Sequence, residues 1–243
     1  MSRLEIIRTR LSDHLVEHFA QQIVGGAIKP GDLLDAEPDL ASQFGVSKPT
    51  VRESLQNLAS LGLVRVQQGK RTVVVEDADW DFLAPVVQEA FQQTGRGYEL
   101  AVQLHEVRLI LEASAAERAA ERAEPAHVDR LRDLTGAMSE VTRTTQDLEE
   151  FLRLDRAFHV MVATASGNRA LLQVIRNVHH FMLNNWQITT ITAEELPHLT
   201  DLHAAVADAI ERGDPNGSRR AMEIHLTEVA AKRAAGRRSE EHR

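Results

Sequence analysis

Residues 39–75 read DLASQFGVSKPTVRESLQNLASLGLVRVQQGKRTVVV, and their apolar spacing indicates two short helices followed by two strands. The first helix ends at Gly45, because glycine adopts the left-handed conformation that closes a helix without steric cost. Ser47 can cap the second helix by accepting from a free backbone N–H, and Pro49 is tolerated in its first turn. Two strands around the tip at residues 68–71 complete a predicted winged helix-turn-helix.

The second helix and the wing tip carry the donors that a DNA-reading module needs. Such a helix enters the major groove with its first turns, where side chains reach base edges and cations hold phosphates. Arg52 can give a guanine two hydrogen bonds, and the wing tip can approach the DNA backbone or minor groove. For any one of these residues, an ordinary solvated surface is the alternative. Together they predict the DNA-binding set Lys48, Thr50, Arg52, Gly69 and Lys70.

Short motifs in residues 12–75 resemble the DNA-binding domain of GntR-family bacterial transcription regulators. They are IKPGDLL at 28–34, Glu37, LA at 40–41, FGVS at 44–47, TVRE at 50–53 and GLV at 62–64. The sequence departs from the family pattern at Asp35-Ala36, where Pro-Ser is usual, and at Pro38, where some members carry a DNA-contacting Arg. Lys48 also stands where Arg is usual, and Lys is a point charge rather than a planar fork.

Composition is that of an ordinary globular protein, with 243 residues, 43% hydrophobic and 26% charged. The absence of cysteine excludes disulfides and thiolate metal sites, and the N-terminal residues lack the apolar run of a signal peptide or membrane span. We therefore expect a cytoplasmic protein without a membrane partner. Residues 1–75 carry 9 Lys/Arg and 8 Asp/Glu, which leaves 19 and 28 for the remainder. The acidic charge thus belongs to the second part of the chain, and the first can still present a basic face.

Beyond the wing, long helical patterns follow one another to the end of the chain without a strand signal. The predicted fold class is therefore mainly α, with an N-terminal winged helix-turn-helix and a C-terminal all-α helical bundle. The predicted domains are 1–75 for DNA binding, 76–97 for a linker and connecting helix that starts at Trp80, 98–235 for effector binding and dimerisation, and 236–243 for a charged, fraying tail.

Four residues of the predicted bundle form a candidate metal site. Asp155 and His159 lie four residues apart and so share one helix face. His203 precedes the turn at residues 213–215 by as many residues as His225 follows it, so antiparallel packing brings the two side by side. One carboxylate and three imidazoles suit Zn²⁺, Ni²⁺, Mn²⁺ or Fe²⁺. The spacing alone leaves open the alternative that these are ordinary hydrogen-bonded histidines.

Further motifs resemble the FCD effector domain of the FadR subfamily over roughly residues 98–235. They are VR at 107–108 with Glu112, DRAFH at 155–159, SGN at 166–168, His203 and His225. The resemblance implies that Asp155, His159, His203 and His225 hold a divalent ion, with zinc the first choice. It also implies that the helix from Trp80 is the additional helix of the longer, seven-helix form.

Arg108 has two interpretations. From the sequence alone it is a surface residue paired with Glu112 four positions later, whereas the resemblance implies that it points into the cavity and holds a carboxylate through its planar fork. His179 and Asn184 lie on a neighbouring predicted helix, and we expect them to line the same pocket.

These expectations combine into one function. We expect a ligand-responsive transcription regulator that binds a palindromic double-stranded operator as a homodimer and responds to a small carboxylate metabolite. The resemblance implies a repressor, because repression is the more frequent outcome in that family. Two alternatives remain at this stage: a regulator that senses the metal ion itself, and a metal-dependent enzyme in which a residue such as Glu112 activates water.

Overall fold

The computed structural model describes residues 11–184 and 191–240, with side chains for 11–182 and 191–230. The chain divides into two compact units, Met1–Leu100 and Ala101–Arg243. The predicted mainly α class is confirmed. The described elements are α1 (Leu11–Val24), α2 (Glu37–Phe44), α3 (Lys48–Ser60), β1 (Val64–Arg65), β2 (Val73–Val74), α4 (Pro85–Gln93), α5 (Gly97–Arg122), α6 (Pro125–Arg143), α7 (Leu148–Ala165), α8 (Arg169–Asn184), α9 (Leu196–Glu211) and α10 (Pro215–Glu240).

The first unit contains the predicted winged helix-turn-helix. Helix α2 ends at Gly45, whose φ is 65°, and the Ser47 hydroxyl accepts from the backbone N–H of Thr50 at the start of α3. Strands β1 and β2 pair antiparallel as the wing. The buried faces of α1 and α3 pack together through apolar side chains that include Leu15, Phe19, Ile23, Val51, Leu55 and Leu58.

The helix expected from Trp80 begins instead at Pro85. Proline lacks the N–H that a helix interior needs and is well suited to the first turn, so the helix starts there. The rings of Trp80, Phe82 and Phe91 cluster with centroids 5.8–6.3 Å apart. The apolar pattern before Pro85 therefore comes from an aromatic cluster rather than from helical periodicity.

The chain after the wing packs onto the end of α3. The backbone N–H of Asp81 donates to the Leu61 carbonyl at 2.9 Å. Gly62 has a φ of 73°, and a Cβ at this position would lie 1.8 Å from the Asp79 carbonyl oxygen. Helix α4 then packs against α1. Residues 79–93 are thus part of the folded first unit.

The second unit is a helical bundle in which α6 packs on α7 and α9, α7 on α8, and α9 on α10. Its interior includes Phe151, Phe158, Met138, Leu196, Val206 and Leu226. Helix α10 continues to Glu240, past residue 235, where the predicted domain ends and the tail begins. One interior glycine costs a helix only ~1 kcal/mol, and the arginines that follow are good helix formers. None of the helices in the described ranges has the length and apolar character needed to cross a membrane.

Candidate DNA interface and candidate metal centre

An open groove of about 690 Å³ lies between α2, α3 and the wing of the first unit. Arg52 projects from α3 into this groove, and Gly69 and Lys70 line it from the wing tip. Lys48, Arg52, Gly69 and Lys70 are exposed, and Thr50 is half-buried with its hydroxyl 2.8 Å from that of Ser47. The fold thus places Arg52, Gly69 and Lys70 around one surface, with Lys48 and Thr50 in the first turn of α3.

Arg52 is held by an acidic residue of α2. Its Nε donates to Glu37 Oε1 at 3.2 Å and its Nη2 donates to Glu37 Oε2 at 2.7 Å. The Arg52 hydrogen bond lowers the pKa of Glu37, and the Glu37 hydrogen bond raises the pKa of Arg52. Both groups are therefore charged at neutral pH.

Arg71 has a structural role at the base of the wing. Its Nε donates to the Leu34 carbonyl at 2.8 Å, and its Nη2 donates to the Leu33 carbonyl at 3.3 Å and to Asp35 Oδ1 at 3.0 Å. These bonds tie the wing to the segment before α2. Lys70 is the neighbouring cation at the exposed wing tip, and it is the better placed of the two to contact phosphate.

In the second unit, four donor side chains from three helices converge. Asp155 and His159 come from α7, His203 from α9 and His225 from α10, and one ligand atom from each lies within 4.8 Å of the others. His159 Nε2 is 3.2 Å from His225 Nε2, and Asp155 Oδ1 is 3.0 Å from His203 Nε2 and 3.6 Å from His159 Nε2. The three imidazoles are buried.

This donor set fits a divalent ion. Donors bound at ~2.0–2.1 Å around one ion are separated by about 3 to 3.4 Å, close to the separations here. His203 Nδ1 donates to the Leu199 carbonyl at 2.7 Å, so the lone pair is on Nε2, which faces the other donors. His159 likewise places Nδ1 against Glu112 Oε2 at 2.5 Å and leaves Nε2 toward the centre. Among the described residues, the buried Nδ1 atoms of His159 and His225 have no hydrogen-bond partner, so His159 meets Glu112 through an ion-pair contact.

Glu112 of α5 is the common partner of this centre. Its Oε2 contacts His159 Nδ1 as an ion pair, and its Oε1 accepts from Arg108 Nε at 2.7 Å and from His179 Nε2 at 3.0 Å. Glu112, His159 and His179 also lie within metal-binding distance of one another. Arg108 occupies the same carboxylate oxygen as His179, and its positive charge opposes a second cation there. We therefore interpret this group as a hydrogen-bond network behind His159.

The two carboxylates control the protonation of His159. Burial alone would lower the pKa of His159, but Glu112 and Asp155 outweigh burial and raise it to about 9. Burial alone would raise the pKa of Glu112, but the positive charges of Arg108, His159 and His179 hold it well below its usual range. Burial would likewise raise the pKa of Asp155, but His159 and His203 hold it well below its usual range. Without a metal, His159 therefore carries a proton at neutral pH between two ionised carboxylates.

The imidazoles of His225 and His179 are neutral, because their pKa values are lowered. Burial and the neighbouring histidines, His203 first, hold the pKa of His225 well below its ordinary value. Burial and Arg108 lower the pKa of His179 to about 4, so its Nε2–H donates to Glu112. His225 thus presents a lone pair that is ready to bind a cation.

Two family models match the chain. "Bacterial regulatory proteins, gntR family" covers residues 11–74, and the FCD domain covers residues 103–228, just over half of the chain. The chain belongs to the GntR family. Its members are transcription regulators with a DNA-binding domain, which excludes the interpretation as an enzyme. The FCD domain places this regulator with the FadR-type members that the sequence motifs indicated.

Individual relatives agree with this assignment. The Bacillus subtilis HTH-type transcriptional regulator LutR is 32% identical over 85% of this chain and 94% of its own length. The Cronobacter sakazakii HTH-type transcriptional repressor NanR is 28% identical over 95% of this chain and 88% of its own length. The solved structure of Lar, described as controlling the Listeria monocytogenes agr system, has a TM-score of 0.58 at 18% identity and covers 93% of this chain and 97% of its own, which shows the shared fold.

In this GntR-family regulator, the predicted residues of the metal centre lie close together in the second unit. The four predicted metal ligands converge. Arg108 pairs with Glu112 through its Nε, as the simpler interpretation expected, but it is buried and not a surface residue. His179 contacts the same network. Asn184 closes α8, and its side chain lies outside the described residues.

Two further residues of functional interest emerge from the structure. The sequence patterns indicate Glu112 as a partner of Arg108 and as the water-activating residue of the enzyme alternative, and Glu37 only as part of a motif. Their roles depend on contacts with His159, His179 and Arg52, which come from other helices. The spacing of Arg108 and Glu112 is a local signal for one contact, whereas the others follow from tertiary packing.

Proposed function

We propose that this regulator is a ligand-responsive repressor that acts in the cytoplasm on a palindromic operator. Arg52 reads a guanine in the major groove, Lys48 and Thr50 contact the backbone or base edges beside it, and Gly69 with Lys70 bring the wing to the phosphates. The exposed first turns of α3 and the groove next to the wing support these roles. Repression is supported by the similarity to NanR, which is described as a repressor.

The operator is proposed to be an inverted repeat because the regulator acts as a homodimer. A two-fold symmetric dimer places two copies of α3 about one DNA turn apart, ~34 Å, and so requires two half-sites with the same symmetry. The operator can be obtained by selecting DNA from a pool of random sequences with the purified full-length protein. We expect an inverted repeat, and a single, non-repeated site would contradict binding as a symmetric dimer.

We further propose that Asp155, His159, His203 and His225 hold one divalent ion per subunit, with zinc preferred and nickel, manganese or iron as alternatives. The convergence of these four side chains is the observation that carries this proposal. When bound, the ion supplies a Lewis-acidic centre for an oxygen ligand. Glu112 holds the His159 ring through the ion-pair contact of its Oε2 with Nδ1 at 2.5 Å, and the Leu199 carbonyl orients His203 by accepting from its Nδ1.

The effector is proposed to be a small organic acid. With the ion bound and His159 neutral, the ion and Arg108 carry three positive charges against the two negative charges of Glu112 and Asp155. The buried centre then has an excess of one positive charge, which a monocarboxylate would neutralise. Arg108 uses Nε for Glu112, and its Nη atoms form no hydrogen bond with a residue of the described ranges. Those atoms can therefore donate to the carboxylate, and His179 and Asn184 are proposed to lie beside it.

A thermal-shift screen of hydroxy acids, sugar acids and dicarboxylates on the zinc-loaded protein tests this assignment. A ligand at 100 times its Kd stabilises the protein by ~2.7 kcal/mol. We expect at least one acid to raise the melting temperature of wild type, with the effect lost in Arg108→Lys, which keeps the charge but lacks the fork. Arg118→Lys, an exposed position on the same helix, is the matched control. An uncharged best stabiliser, or one that binds Arg108→Lys equally well, would overturn the proposal.

A further inference from the structure

We infer that Glu37 is a positioning residue that sets the sequence discrimination of this regulator by holding Arg52 in the groove between α3 and the wing. The inference rests on the proposed role of Arg52 as the base reader, and it adds an acidic residue of another helix to the reading apparatus. Glu37 itself contacts Arg52 and no base.

The stereochemistry of the pair leaves Arg52 able to read a base. A guanidinium has five N–H donors in a rigid plane. Glu37 engages the side of this plane, through Nε and one N–H of Nη2. Both N–H groups of Nη1 and the second N–H of Nη2 stay unused by Glu37, and these form the end of the fork that can bind guanine O6 and N7 together. Arg52 can thus hold Glu37 and a guanine at the same time.

The exposure of the pair explains what Glu37 contributes. The Arg52 side chain is 65% exposed and the Glu37 side chain 30% exposed. An exposed arginine without a partner samples many rotamers, and ordering it on binding costs free energy. Two hydrogen bonds to a residue of α2 restrict Arg52 before DNA arrives. They also reduce its access to neighbouring phosphates, which every DNA sequence offers.

Glu37 also carries a negative charge on a surface that meets a polyanion. Such a charge weakens binding to all DNA through repulsion. Asp35, the other acidic residue of the groove, is offset by its ion pair with Arg71 at the base of the wing. The negative charge of Glu37 is offset by Arg52, the proposed base reader. The pair therefore lowers affinity for all DNA and raises discrimination in favour of the operator. A variant that only loses stability would not change these two quantities in opposite directions.

The test compares Glu37→Gln with wild type by fluorescence anisotropy, on the selected operator and on random DNA of equal length. We expect Glu37→Gln to bind random DNA more tightly while the ratio of operator to random affinity falls about tenfold per half-site. A merely structural role would weaken both. Glu37→Asp keeps the charge but shortens the side chain, so the ratio should fall without a gain on random DNA.

Asp39→Asn is the matched control, because Asp39 is an exposed carboxylate in the same first turn of α2, whereas the hydrogen bonds of Arg52 go to Glu37. It removes one negative charge from the same turn and should leave the operator to random ratio unchanged. Equal loss of the ratio in Asp39→Asn and Glu37→Gln would overturn the inference, as would an unchanged ratio in Glu37→Gln. Melting temperatures of all variants show whether the first unit stays folded.

Arg52→Ala separates this inference from the function on which it rests. If Arg52→Ala keeps the wild-type ratio, the reader role fails and the role of Glu37 fails with it. If Arg52→Ala loses the ratio while Glu37→Gln keeps it, Arg52 reads the operator and only the positioning role is wrong. In the Arg52→Ala background, Glu37→Gln should change the ratio no further, and an additional loss would mean that Glu37 acts by another route.

Discussion

Zinc binding to the centre formed by Asp155, His159, His203 and His225 should release about one proton per subunit at pH 7. The pKa of His159 is raised to about 9, because Glu112 and Asp155 outweigh the effect of burial. A nitrogen must lose its proton before it binds a metal. At pH 7 almost every His159 is therefore protonated and must give up that proton, whereas the pKa of His225 is lowered and it is already neutral.

The same pKa fixes the size and sign of the pH dependence. Below about pH 9 the proton competes with zinc, so the apparent affinity falls about tenfold for each unit of pH decrease. Between pH 9 and pH 7 this amounts to about a hundredfold, or ~2.7 kcal/mol. Above pH 9 the dependence on His159 should disappear. An imidazole with an ordinary pKa near 6.5 would instead place the change below pH 7.

Isothermal titration calorimetry in buffers with different ionisation enthalpies counts the released protons directly, with zinc supplied from a chelator of known affinity. Glu112→Gln is the informative variant, because removing this carboxylate lowers the pKa of His159 and so reduces the number of protons released at pH 7. A wild-type protein that releases no proton and binds zinc equally well at pH 7 and pH 9 would refute the assigned protonation of the centre.

Three other perturbations have defined outcomes. Replacing His203 and His225 together by Ala should abolish zinc binding and lower the melting temperature of the second unit, whereas His198→Ala, at an exposed position of α9, should do neither; full zinc occupancy in the double variant would sink the ligand assignment. Lys70→Ala should weaken binding to all DNA sequences alike and flatten the salt dependence, and a loss confined to the operator would show that Lys70 reads bases. Gly62→Ala should destabilise the first unit by at least ~1 kcal/mol more than Gly26→Ala in chemical denaturation, because both glycines have positive φ but only a Cβ at position 62 meets the Asp79 carbonyl oxygen; equal losses would mean that the Asp79 segment gives way freely.

Local sequence patterns predicted the elements of this protein well where the signal is itself local. The spacing of apolar residues and the cap at Ser47 predicted α3. The equal distances of His203 and His225 from one turn predicted that the two lie side by side, and their ring centroids are 4.3 Å apart. The predicted helix start at Trp80 is wrong, because an aromatic cluster and a helix face both require apolar residues at short intervals. Pro85 was the better indicator of where the helix begins.

The contacts that tune the two sites could not be predicted in the same way. Glu37 meets Arg52 only because α2 crosses α3, and Glu112 meets His159 and His179 only because α5 lies beside α7 and α8. No periodicity encodes which carboxylate faces which base when they lie on different helices. The sequence indicated the candidate ligands and donors, since those residue types follow from the chemistry, but the residues that contact them from other helices depend on packing.

The central claim is that an acid bound at the metal centre changes the affinity for the operator. The most direct measurement is operator affinity by fluorescence anisotropy, with and without the best acid from the thermal-shift screen, on zinc-loaded and on chelator-treated protein. We predict that the acid shifts operator affinity of the zinc-loaded protein by roughly 5–150-fold, a coupling of ~1–3 kcal/mol, and has no effect after chelation. Operator affinity that follows zinc alone and ignores the acid would contradict the claim and identify the protein as a sensor of the metal.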